Sequence, residues 1–149
     1  MQQLVFAIQF KGTGKPVDGQ PGNLKVEGQA ASVSITTVIN DGGITGGFDP
    51  AALATVHFES TVTMTEGGRF TEKGSIFFGE NHHRLFFKSK SEGWMEPSPI
   101  EGVLHGAVVW TVEGGEGQLV GAGGIITSNF SVDGNSAIVD NQLGVIYIK

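Results

Sequence analysis

The runs Ile76-Phe77-Phe78, Leu85-Phe86-Phe87 and Val108-Val109-Trp110 each carry apolar side chains at three consecutive positions. Successive side chains of a strand point to opposite faces, so each run is apolar on both. Parallel sheets cover both faces with helices, but this chain has almost no helix signal. A closed antiparallel barrel is the economical alternative. Its concave side fills with side chains, and its outer side packs on another subunit. The expectation is an all-β fold: a single antiparallel β-barrel of about eight strands with very little helix. The 149 residues make one domain, 1–149.

Strand signals run through the chain. Residues 3–10 read as a first strand closed by Gly12, Gly14 and Pro16, with a loop over 15–22. Residues 31–39 alternate as a half-buried strand, and Asn40-Asp41-Gly42-Gly43 signals a tight turn. The one helix start is at Asp49-Pro50-Ala51-Ala52-Leu53, with Asp49 as N-cap and Pro50 at the first helical position. Over 55–65, Val56, Phe58, Val62 and Met64 face one way while His57, Glu59, Thr61 and Thr63 face the other. Gly67-Gly68 then turns the chain into 69–79. Residues 93–99 read as a loop because of Pro97 and Pro99, and 100–113 as the longest strand. The end of the chain reads as 136–139, a turn near Asn141, and a closing strand over 144–148.

Charge narrows the partners. The net charge of −6 argues against nucleic acid and against an anionic membrane surface. Between Glu92 and Ile148 there are seven acidic residues and no Lys or Arg, whereas 69–90 carries Arg69, Lys73, Arg84, Lys88 and Lys90. These are either different solvated faces of one barrel or complementary faces of a homo-oligomer. The chain has no cysteine, hence no disulfide framework or thiolate metal site, which leans toward a cytoplasmic location. No apolar run has the length of a signal peptide or a membrane span.

The glycine-rich segment from Gly114 to Gly124 contains Gly115-x-Gly117-x-x-x-Gly121. A dinucleotide fingerprint needs a helix directly after the loop, and here Ile125-Ile126-Thr127-Ser128-Asn129-Phe130 reads as a strand. No cofactor is expected. The glycines instead supply positive φ and close backbone approach. The stretch from Trp110 through Gly124 resembles the V-x-G-G-x-G-x-[FL]-x-G-A-x-G signature of allene oxide cyclase-like and dirigent-like barrels. Glu116 stands where Thr is usual, and Leu119 where Phe is usual. The likeness covers about 20 residues and implies a calycin-like, commonly oligomeric barrel that binds apolar or polyketide-like small molecules. It transfers no catalytic residue.

Candidate site residues come from the residues themselves. His57 and Glu59 share one strand face, an acid–base pair if that face lines a cavity and a solvated pair if it does not. His105, in an apolar strand, is either a hydrogen-bonded buried histidine or a pocket residue. Glu59, His57 and His105 are the catalytic candidates; Arg84, Trp94 and Trp110 are the ligand-binding ones. Trp94-Met95 either lids a barrel mouth or packs within its loop. His82 and His83 are adjacent and diverge on a strand. A metal would need further ligands such as His105 or Glu72, and none is expected.

Two functions follow. One is a small-molecule-binding barrel of the cyclase or isomerase type, which shapes a flexible apolar substrate. The other is a non-catalytic ligand carrier or oligomeric interaction protein. The first demands a cavity with convergent polar groups; the second, a barrel plugged by Phe77, Phe87 and Trp110.

Overall fold

A computed structural model describes residues 1–50, 56–80 and 82–149. They form ten strands: β1 (Gln2–Pro16), β2 (Asn23–Asn40), β3 (Gly43–Pro50), β4 (Val56–Met64), β5 (Arg69–Phe78), β6 (His83–Ser89), β7 (Gly93–Pro97), β8 (Leu104–Glu116), β9 (Gly123–Val132) and β10 (Ala137–Ile148). One turn of 3-10 helix, Gly117–Leu119, follows β8. All ten strands belong to one antiparallel sheet that closes into a ring. The path β1-β10-β9-β8-β6-β5-β4-β2 returns to β1 through β1–β2 pairing. β7 pairs with β5 and β8, and β3 extends outward from β2.

Closure needs β1 to serve two neighbours. Its first part pairs only with β10, and from Gln9 onward it also pairs with β2. The strand therefore continues through Gly12 and Gly14 to Pro16, beyond the expected end. Gly12 is needed there: a Cβ would run into the backbone carbonyl of Glu27 on β2.

The core lies inside the ring, with Phe10, Ile76, Leu85, Trp110 and Ile126 fully buried. Trp110 stacks on Phe87 with ring centroids 3.9 Å apart. β4 alternates as expected, with Phe58 and Val62 buried inside. Of the three aromatic residues assigned to a plug, Phe87 and Trp110 are inside, whereas Phe77 faces outward. There it is sandwiched by residues of its own chain. His57 stacks on it at 4.5 Å and 7°, and the Arg84 guanidinium lies 4.8 Å from the rings of both Phe77 and Phe86. The second apolar face of β5 and β6 is thus partly covered from within.

Several local expectations are corrected. Asp49 and Pro50 are the last residues of β3, where the Asp49 carboxylate accepts hydrogen bonds from Ser34 (2.8 Å) and Thr36 (3.4 Å) on β2. The helical turn expected to follow them falls on residues 51–55, which lie outside those described. The stretch 31–39 is not half-buried: beyond Ser32 it leaves the ring with β3 as a two-stranded arm, and Val38, Ile39 and Ile44 are exposed. The 93–97 part of the expected loop is β7, since Pro97, which has no N–H to donate, pairs only at its end, with Leu104. The strand expected over 100–113 is Leu104–Glu116, preceded by a turn, and β2 is longer at 18 residues. β10 runs through Asn141 without a turn, held in register by β1 and β9 on its two sides.

Candidate functional site

β4 and β5 form a hairpin whose inward residues include Ser60, Val62 and Met64 on one strand and Phe70 and Glu72 on the other. β9 and β10 form a second, with Ser128, Phe130 and Val132 facing Ile138 and Asp140. The two match position by position. Met64 pairs with Phe70 as Val132 pairs with Ile138. The serine hydroxyl donates to the acid twelve residues on in each: Ser60 to Glu72 at 2.5 Å, Ser128 to Asp140 at 2.6 Å. Three strands of the ring separate β5 from β10 in either direction, so Glu72 and Asp140 stand on opposite walls.

Between these walls is a cavity of about 70 Å³. Apolar side chains dominate it, among them Val26, Phe58, Phe70, Met95 and Phe130. Glu72, Asp140 and Ser128 are its polar groups, and no Lys, Arg or His lines it among the described residues. A single water needs about 10–15 Å³ by this kind of measure, so the space holds several waters or a small organic molecule.

Both acids are almost wholly buried. The Glu72 carboxyl is pushed up from 4.5 to about 7, chiefly by burial and in smaller part by the Asp140 charge. The hydroxyl of Ser60 and the indole N–H of Trp110, which donates to Oε2 at 3.1 Å, pull it back. Burial likewise raises Asp140 from 3.8 to about 6, against the hydrogen bonds from Ser128 and from Gln142 Nε2 at 2.8 Å. Deprotonation puts a charge into an apolar space, and the two donors on each carboxyl only partly offset that cost. Near pH 6–7 the pair therefore offers a proton donor on one wall and an acceptor on the other. Gln142 adds an acceptor: its side chain is buried on the inward face of β10, and its Oε1 has no partner.

The sequence-predicted site residues do not converge here. His57, Glu59 and Arg84 sit on the outer face of β4–β6, where Arg84 Nε donates to Ser75 Oγ at 3.1 Å. Glu59 and Arg84 border a shallow outer groove with Lys73 and Glu113. His105 and Trp94 face outward on β8 and β7. Their rings meet edge-on at 6.0 Å, and His105 lies 3.5 Å from Glu96. Trp94 is therefore not a lid, but its neighbour Met95 does line the cavity. Trp110 alone reaches the site, through Glu72. The sequence patterns point to Glu72 only as an added metal ligand and do not single out Asp140. The missed signal was phase: Glu72 keeps step with Phe70 and Ile76, and Asp140 with Ile138 and Ile146.

His83 Nδ1 accepts a hydrogen bond from the backbone of Gln118, which ties β6 to the glycine segment. That segment closes one end of the ring with buried Leu119 and Ala122. No helix longer than one turn follows it, so it lacks the geometry of a dinucleotide loop. No group of three or more His, Asp or Glu side chains suited to a metal occurs among the described residues. No helix among them is long and apolar enough to cross a membrane. The chain matches no protein-family model, no curated protein and no solved structure.

Proposed function

We propose that this chain is a calycin-like, small-molecule-binding barrel of the cyclase or isomerase type, in which Glu72 and Asp140 move protons on an apolar substrate. One observation carries the reading: two buried carboxyl groups with raised proton affinity face each other across a cavity that is otherwise apolar. Carboxyl groups tuned to about 6 and about 7 are matched to proton transfer near neutral pH. The apolar walls would select the substrate by shape and exclude water.

The test is proton exchange on a small apolar ketone, α-deuterated cyclopentanone. Wild-type protein is expected to accelerate loss of deuterium to water, with a rate maximum between about pH 6 and 7. Glu72→Gln or Asp140→Asn should lower that rate by about 100-fold or more. A rate no higher than that of the double variant would defeat the enzymatic reading.

A second reading, an oligomeric ligand carrier, draws on the outer face of β1, β10 and β9. Its outward positions over 3–9, 137–147 and 125–131 hold no charged residue, and Val5, Ile125, Leu143 and Tyr147 are exposed there. Two copies of a chain with net charge −6 meet with least repulsion across such a face. Native mass spectrometry of wild type and Leu143→Lys checks it. An oligomer that the lysine dissociates supports the reading; a wild-type monomer removes it.

A further inference from the structure

The cavity has a charge pattern that restricts what can enter it. Its polar groups are two carboxyls and a serine hydroxyl. Gln142, whose Oε1 has no partner, lies behind the lining and donates to Asp140. The hydroxyls of Ser60 and Ser128 are already spent on the acids, as are the indole N–H of Trp110 and the amide N–H of Gln142. With both carboxyls ionised, each of these donors is engaged by a carboxylate rather than aimed at an anionic ligand. Acceptors are in excess and no cationic side chain balances them among the described residues. A ligand carboxylate or phosphate would meet two like charges in a low-dielectric space. A ligand cation would meet two opposite ones, in a space lined also by the aromatic residues Phe58, Phe70 and Phe130.

We propose that the cavity takes an organic ammonium: a protonated amine carried on a single apolar ring or a short apolar chain, its N–H groups donating to Glu72 or Asp140. This rests on the small-molecule-binding reading above and names the ligand class for the same site. The size of the cavity restricts the apolar part to about one ring. A single ammonium pairs with one wall and leaves the opposite carboxyl free to exchange a proton with the ligand.

The test uses four molecules of nearly one shape: benzylamine, benzyl alcohol, toluene and benzoate. Each is titrated calorimetrically into the intact protein at pH 8 and at pH 5. At pH 8 benzylamine is expected to bind at least tenfold more tightly than benzyl alcohol, and benzoate not to bind. At pH 5 both carboxyls are protonated while the amine keeps its charge, so the preference should shrink to within about threefold. This comparison needs no variant. Glu72→Gln/Asp140→Asn should abolish the preference at pH 8 and keep the affinity for benzyl alcohol. Benzyl alcohol or toluene binding as tightly as benzylamine at pH 8 would overturn the ammonium assignment and leave the binding barrel standing. Benzoate binding best would do the same. Failure of all four to bind would overturn both.

Discussion

Trp110 Nε1 donates to Oε2 of Glu72 at 3.1 Å, two strands along the ring. A fully buried aromatic residue therefore holds a buried carboxyl by its one polar atom. Trp110→Phe removes the donor and keeps most of the ring that stacks on Phe87. The Glu72 carboxyl should then rise above about 7, because one of the groups lowering it is gone. Hydrogen bonds to charged groups contribute about 1.5–3 kcal/mol, so the variant should lose that much more stability at pH 8 than at pH 5. Urea unfolding at the two pH values checks this; an equal loss at both would show that only packing was removed.

The two acids make the fold acid-favoured over a definite range. Both folded-state values lie above the ordinary ones, so the folded protein keeps protons that the unfolded chain releases. Their contribution is full below about pH 4 and is lost as the pH rises through about 6 for Asp140 and about 7 for Glu72. Each shift corresponds to on the order of 3 kcal/mol. Between pH 5 and pH 8 the wild type should lose several kcal/mol relative to Glu72→Gln/Asp140→Asn. Parallel stability curves for the two proteins would contradict the burial argument.

Arg84 is predicted to stabilise rather than to bind. Its guanidinium covers Phe77 and Phe86, and its Nε donates to Ser75. Arg84→Ala should destabilise the fold by about 1–2 kcal/mol, as two partly exposed cation–π contacts and one hydrogen bond disappear. Benzylamine affinity should stay within twofold of wild type, because the residue faces away from the cavity.

The remaining outward candidates make the same distinction. His57→Ala, Glu59→Ala and His105→Ala should leave affinity and deuterium exchange unchanged within about twofold. His57→Ala should lower the unfolding free energy by about 0.5–1.5 kcal/mol for the lost stack on Phe77, and His105→Ala by about 0.5 kcal/mol for the edge contact with Trp94. A tenfold drop in exchange in any of them would place the chemistry on the outer face instead.

Gly124 tests the conformational reading of the glycine segment. Its φ is +137°, and a Cβ there would strike the carbonyl of Val145 on β10. Gly124→Ala should cost about 2–4 kcal/mol, from the unfavourable backbone angle together with the crowding. Gly123→Ala, next to it and with nothing within 4 Å of its Cβ position, serves as the control and should cost less than about 1 kcal/mol.

The strands were legible because period-2 alternation is a local signal, and β4 shows it from Val56 to Met64 with one break, the inward Ser60. The arm was not. Residues 33–39 alternate like any half-buried strand, and nothing local says that β2 continues past the edge of the ring. Asp49 carries a second non-local signal: its carboxylate is occupied by Ser34 and Thr36 from across the strand pair, which no neighbouring residue in the sequence reveals. The acids were hidden by their neighbours: Glu72 lies between Thr71 and Lys73, and Asp140 next to Asn141, as solvent-facing carboxylates usually do. Only their phase with Phe70, Ile76, Ile138 and Ile146 gives them away. The matched spacing of Ser60 to Glu72 and Ser128 to Asp140 becomes meaningful once both pairs are known to lie in hairpins.

The β1–β10 seam has a consequence for how the molecule is made. Gln2 pairs with Ile148 and Thr13 with Ala137, so β1 waits for β10, more than 120 residues later in synthesis, before its outer edge is covered. During that interval the edge of β1 that faces β10 offers unpaired N–H and C=O groups, and its seam cannot form until β10 has emerged. Closing so long a loop is slow. Aggregation in this protein should therefore start from nascent or partly unzipped chains through the β1 edge. Conditions or chaperones that shield that one strand during synthesis should raise the yield of folded protein more than any change to the finished surface.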